Sequence, residues 1–180
     1  QEYLAHRMPG EHCVMMLLDM DDFENINQKE GKVFADAILQ EIADLIRTET
    51  GQDNLQIRLG GDEFMILIKH CDKAQATIIG PRIAAMAQNI FVNSEKDIHI
   101  SVSIGMCSTE VVDDYNALYR CAESTLKYVK EHSKGQAACY LDTSNELGVF
   151  LTQLYTEEHP VNTIDREDSN RDQDMISFAL

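Results

Sequence analysis

The run CVMMLLDMD at residues 13–21 constrains this chain more than any other stretch. Successive side chains of a strand point to opposite faces, so a half-buried strand alternates apolar and polar residues. Residues 13–18 do not alternate. They read as a buried central strand whose end is marked by Asp19, Asp21 and Asp22. LQIRL (55–59) and FMILI (64–68) read as a second strand pair, joined by a Gly60-Gly61-Asp62-Glu63 turn, and the two glycines permit the positive φ of a hairpin. DIHISVSIGMCS (97–108) and AACYL (137–141) complete the strands. NINQKEG (25–31) reads as a polar connection.

Between the strands lie helical patterns. KVFADAILQEIADLIRTE (32–49) carries apolar residues at 33, 34, 37, 38, 42, 45 and 46, a stripe of helical period. Residues 74–93 form a second helical segment, with Gly80-Pro81 marking a kink or a late start. Residues 114–133 form a third, and residues 2–8 are the end of a helix broken by Pro9-Gly10. The β-α-β-β-α-β core of this order predicts an α+β fold: a ferredoxin-like antiparallel sheet flanked by helices. This domain is expected to span residues 1–142. Residues 143–180 repeat no part of the pattern and read as an acidic extension, a linker or the start of a further domain.

The chain has 180 residues and 44% apolar content, enough for one ordinary core. Its net charge of −16 argues against nucleic acid as a partner, since phosphates need a basic track. From Leu141 onward nine acids face only Arg166 and Arg171. No stretch approaches the roughly 18 apolar residues of a membrane span, so no membrane contact is expected of this segment. The first residue is Gln, and the chain reads as an excised piece. Five dispersed cysteines form no CxxC pair. They read as buried thiols in a reducing compartment, and the expected location is cytoplasmic.

The acids after the first strand and those at the hairpin tip carry the chemistry. Strand and hairpin are natural sheet neighbours, so Asp19, Asp21 and Asp22 should approach Asp62 and Glu63. Carboxylates so placed repel unless a cation lies between them. Oxygen donors without Cys or His select Mg²⁺ or Mn²⁺, and such a cation suits phosphoryl or nucleotidyl transfer.

RLGGDEF (58–64) resembles the signature of GGDEF domains, the diguanylate cyclases. LLDMDDFENINQKEGKVFADAIL, SVSIGMC and AESTLKYVKEHSKGQ are similar to further segments of that family, in order, over about residues 1–142. The resemblance implies a palm-type, nucleotide-cyclase-like fold and a homodimer that joins two GTP into cyclic di-GMP with release of pyrophosphate. It implies that Asp19, Asp62 and the carbonyl of Met20 hold the metal, and that Asp62 and Glu63 serve catalysis. It also implies substrate contacts: Asn27 and Asp36 to the guanine edge, Phe23 beside it, Gly60 and Gly61 near the α-phosphate, Lys130 and Lys134 on the terminal phosphates, and Arg58 at a common basic position.

Several positions depart from the family pattern. Glu24 stands where a lysine is usual, and a carboxylate there repels phosphate unless it points away. Lys32 and Ala35 replace the usual His and Gly. Glu123, Thr125 and Lys127 alter the last helix, and Lys134 replaces an arginine fork with a point charge. Gly51 and Asn54 occupy the positions of the Arg-x-x-Asp inhibitory motif, so product inhibition of that kind is not expected. These departures keep a second reading open: a degenerate module that binds GTP without turnover and acts in regulation or dimerisation.

Overall fold

The computed structural model describes residues 2–90, 98–141 and 177–179. The elements are α1 (Glu2–Ala5), β1 (Cys13–Met20), α2 (Phe23–Glu30), α3 (Lys32–Thr50), β2 (Leu55–Gly60), β3 (Glu63–Lys69), α4 (Lys73–Ala87), β4 (Val102–Ser108), α5 (Tyr115–His132), β5 (Ala137–Leu141) and β6 (Ser177–Ala179). The second helical segment, expected to reach 93, ends at Ala87, and the next strand, expected from 97, begins at Val102. Residues 91–97 lie outside the described residues, as does nearly all of the 143–180 extension.

The sheet order is β2-β3-β1-β4-β5-β6. β1 is central and pairs antiparallel with both β3 and β4, and the β2–β3 hairpin closes one edge. Those four strands with α3 and α4 have the expected ferredoxin-like order. β4 and β5 pair in parallel, however, so the sheet is mixed rather than wholly antiparallel. The reason is connectivity: α5 carries the chain back across the sheet, as a crossover between parallel neighbours requires.

Every residue of β1 is buried, because both faces of the sheet are covered. Val14, Met16, Leu18 and Met20 lie in one core with Ile38, Leu39, Ile42 and Ile46 of α3 and Ile83 and Ala84 of α4. Cys13, Met15 and Leu17 lie in the other with Leu118 and Ala122 of α5, and Tyr3 and Leu4 of α1 pack against them. Each large apolar side chain so buried stabilises the fold by roughly 1.5–3 kcal/mol before ordering entropy is counted. α5 sits unusually close to the sheet. A Cβ on Gly105 of β4 would lie 2.2 Å from the Ala122 carbonyl oxygen and 2.2 Å from the Leu126 nitrogen, so only glycine allows this approach.

Two local expectations are corrected. The polar connection at 25–31 is helix α2 up to Glu30, ended by Gly31 at φ 88°. Residues 74–93 start one residue early, at Lys73, with Asp72 as N-cap in a capping box with Gln75, and the helix runs through Pro81.

Candidate active site

β1 and β3 bring the two groups of acids together. Asp19 and Glu63 are directly opposed across the pair, and the Met20 N–H donates to the Asp62 carbonyl at 3.4 Å. An open cleft of about 640 Å³ forms where β1 gives way to α2. Asp19, Met20, Asp22, Phe23 and Glu24 line it, with Asp62 and Lys130 opposite.

Asp19 is the buried acid of this cleft, at 9% exposure. Burial raises its pKa above the usual carboxylate value. A hydrogen bond from Lys130 and that lysine's charge work against the rise, and the negative charges of Asp62 and Glu63 add to it. Asp19 and Lys130 form an ion pair that joins β1 to α5. Lys134, at the end of the same segment, donates to both oxygens of Asp22 at 3.0 and 3.3 Å.

The remaining expected residues are placed less uniformly. Arg58 folds back on its own turn, its Nε donating to the Gly61 carbonyl at 2.8 Å, and Gly61 takes φ 54°. Asp36 is exposed on the first turns of α3. With Arg58 it lines a separate groove of about 400 Å³ between α3 and the β2–β3 hairpin. Asn27 is half-buried and its carbonyl receives the Gly31 N–H that closes α2. Neither Asn27 nor Asp36 lines the carboxylate cleft. Among the described residues, no three His, Cys, Asp or Glu side chains are gathered as a ready metal cage.

Asp21 is the acid that leaves the cluster. It is 5% exposed, and its two oxygens receive the hydroxyls of Ser101 and Ser103, each at 2.7 Å. Its partners thus lie on the β4 side. Sequence reasoning also missed Gln28 and Asn25, which line the cleft. Gln28 Nε2 donates to Glu24 Oε1 at 3.1 Å, an i,i+4 pair that exists only because this segment is helical. The 24/28 spacing was the available signal.

The donor set fits a hard divalent cation. Asp19 and Asp62 offer carboxylate oxygens, Met20 a carbonyl, and the cleft lining contains no His or Cys. Two carboxylates are too few for a full protein cage, which suits a cation whose shell is completed by substrate phosphate and water. Asp22 gives α2 no side-chain cap, so a helix start with its partial positive charge stands at the cleft.

Comparison with known proteins agrees with this fold. Solved GGDEF domains share the fold. That of YfiN (TpbB) from Pseudomonas aeruginosa superposes with a TM-score of 0.67 at 29% identity, over 77% of this chain and 86% of that one. The active GGEEF domain of a diguanylate cyclase from Vibrio cholerae gives a TM-score of 0.65 over 74% and 85%, and at 23% identity it speaks to fold alone. The family model described as "Diguanylate cyclase, GGDEF domain" matches residues 1–136, and the chain belongs to that family.

Its curated relatives include both a diguanylate cyclase and a cyclic di-GMP phosphodiesterase. Diguanylate cyclase DgcS of Shewanella oneidensis is 29% identical over 139 residues, 76% of this chain and 44% of that protein. Cyclic di-GMP phosphodiesterase PdeR of Escherichia coli is 26% identical over 133 residues, 73% of this chain and 20% of that protein. The chain therefore spans less than half the length of either relative.

Proposed function

We propose that this domain binds GTP with Mg²⁺ or Mn²⁺, and that two copies meeting face to face condense two GTP into cyclic di-GMP and pyrophosphate, in the cytoplasm. The observation that carries the reading is the shared cleft of Asp19, Asp62 and Lys130 in a chain of the GGDEF family. In this reading Asp19, Asp62 and the Met20 carbonyl hold the cation, which would supply positive charge against the phosphates. Lys130 passes from Asp19 to a phosphate oxygen as substrate enters, and Lys134 does the same from Asp22. Asp62, beside Glu63, helps draw the proton from the attacking 3′-hydroxyl while pyrophosphate leaves the partner nucleotide. The guanine extends out of the cleft past Phe23, where Asn27 and Asp36 read its edge from outside the cleft lining; Gly60 and Gly61 let backbone approach the phosphate, and Arg58 steadies the turn. The domain is taken as residues 1–142, with 143–180 as its extension.

Glu24 favours the second reading, a module that binds GTP without turnover. Glu24 lines the cleft, and its carboxylate accepts from Gln28 Nε2. The altered last helix supports neither side, because Glu123 and Lys127 are exposed and the buried Thr125 hydroxyl donates to the Cys121 carbonyl at 2.7 Å.

The test mixes the full-length protein with GTP and Mg²⁺ and follows cyclic di-GMP by chromatography, with Asp62→Ala alongside. Product that disappears in the variant supports the cyclase. Absence of product with GTP still bound supports the regulatory module, and absence of both defeats the two readings together.

A further inference from the structure

Asp21 stands in the middle of the acidic run, yet both its oxygens are occupied by serine hydroxyls and it is nearly inaccessible. Its backbone N–H also donates to the Ser101 carbonyl at 2.9 Å. The network continues past it. Ser103, fully buried, accepts the Gly135 N–H on the same Oγ at 3.2 Å. The Gly135 carbonyl in turn accepts from Gln88 Nε2 at 3.2 Å, at the end of α4. Gly135 takes φ 78°, and a Cβ there would crowd Ser101 at 3.2 Å, so the loop lies tight against the serines.

The residues at the two ends of this network matter most. Asp21 lies between Asp19 and Asp22, and Gly135 directly follows Lys134. The chain of bonds therefore joins the carboxylate turn after β1 to the lysine loop after α5, with the start of β4 as the shared support. Surface ion pairs alone are weak and mobile. The Lys134–Asp22 pair is such a pair, with half or more of each side chain in solvent. Something stiffer must set the distance between the two segments, and a carboxylate accepting two hydroxyls in a buried place is stiff.

We propose that Asp21, through Ser101 and Ser103, is a positioning residue that locks the Lys134 loop onto the carboxylate turn and so sets the spacing of phosphate-binding lysines against cation-binding acids. Asp21 itself touches neither cation nor nucleotide. The functional half of this inference rests on the GTP-binding reading above; the structural half does not.

The experiment compares wild type with Ser103→Ala, Ser101→Ala and Ser101→Thr in the full-length protein. Hydrogen exchange by mass spectrometry reads the loop, and calorimetric titration with GTP and Mg²⁺ reads the site. Threonine retains the hydroxyl at Ser101, which is only half-buried. The expected result is faster exchange at residues 133–136 and 19–22 in both alanine variants, with β3 and α3 unchanged. GTP affinity should fall about tenfold, on the scale of one lost charge-assisted hydrogen bond, and Ser101→Thr should restore both. Unchanged exchange at 133–136 in folded alanine variants overturns the lock. Faster exchange with undiminished GTP affinity also overturns the positioning role, leaving only a structural one. Failure of wild type to bind GTP sinks the function proposed above instead, and exchange alone then decides whether the lock exists. Should Ser103→Ala not fold, the Ser101 pair decides the matter.

Discussion

Replacing Gly105 with alanine tests how α5 is held over the sheet, and with it how Lys130 reaches Asp19. The added Cβ would stand 2.2 Å from the Ala122 oxygen, 2.2 Å from the Leu126 nitrogen and 2.7 Å from the Leu126 Cα. All three atoms are backbone, so no rotamer change relieves the overlap. Ordinary contact requires α5 to withdraw by about 1 Å, and close-packed interiors do not absorb such a shift cheaply. Leu118, Ala122 and Val129, now fully buried, would lose contacts along the helix. Overpacking a core costs roughly 1–3 kcal/mol, and a clash with rigid backbone belongs at the top of that range, about 3 kcal/mol. At this size that is a fall in Tm of roughly 6–12 °C. Urea denaturation followed by circular dichroism measures the loss. Gly60→Ala serves as comparison, since nothing lies within 4 Å of a Cβ there and it should lose less than about 0.5 kcal/mol. A loss below about 1 kcal/mol for Gly105→Ala, with an unchanged denaturant slope, would refute the claim that backbone contact fixes this helix.

Three further outcomes follow from the same structure. Glu24→Lys removes the carboxylate that lines the cleft and should raise the rate of GTP turnover by about tenfold or more, since each 1.36 kcal/mol is a factor of ten; an unchanged rate clears Glu24 as a block. The Tyr3 phenol is pushed up to about 12, first by burial and then by its hydrogen bond to Glu11 and that group's charge. Because its folded pKa exceeds the ordinary 10.0, its contribution to stability is whole below about 10 and fades as pH rises through about 12; ultraviolet titration should find it there, and lower in Glu11→Gln. Cys13, Cys71, Cys107 and Cys139 are buried and Cys121 partly exposed, with burial raising Cys71 to about 11 and Cys139 to about 12. Thiol labelling of the native protein should therefore modify Cys121 first and the rest only on unfolding; early labelling at Cys139 would contradict the packing.

Much of the architecture was legible because it rests on local pattern. An unbroken apolar strand has one good place in a sheet, and β1 occupies it. The stripe from Val33 to Ile46 has helical period and forms α3, with Ile38, Ile42 and Ile46 inward. α2 was not legible in that way. Phe23–Glu30 fully buries no residue and offers only Phe23 and Ile26 to the core, too short a stripe to announce a helix, and it packs beside α3. The parallel β4–β5 pairing was likewise hidden, since strand direction depends on where a connection returns.

The candidate site divides along the same line. The order of acids, glycines and lysines along the chain determined the family and the chemistry available, because oxygen ligands and cations are a matter of residue type. Which acids face the cleft was a tertiary decision. Asp19, Asp21 and Asp22 are near neighbours in the chain, yet one pairs with Lys130, one is buried on two serines about 80 residues away, and one meets Lys134 at the surface. Asp36 and Arg58, expected among the substrate contacts, line the groove between α3 and the hairpin, whereas Asp62 at the hairpin's turn lines the carboxylate cleft. A carboxylate's role depends on which donors surround it, and distant segments supply those donors only when the sheet and α5 have closed over it.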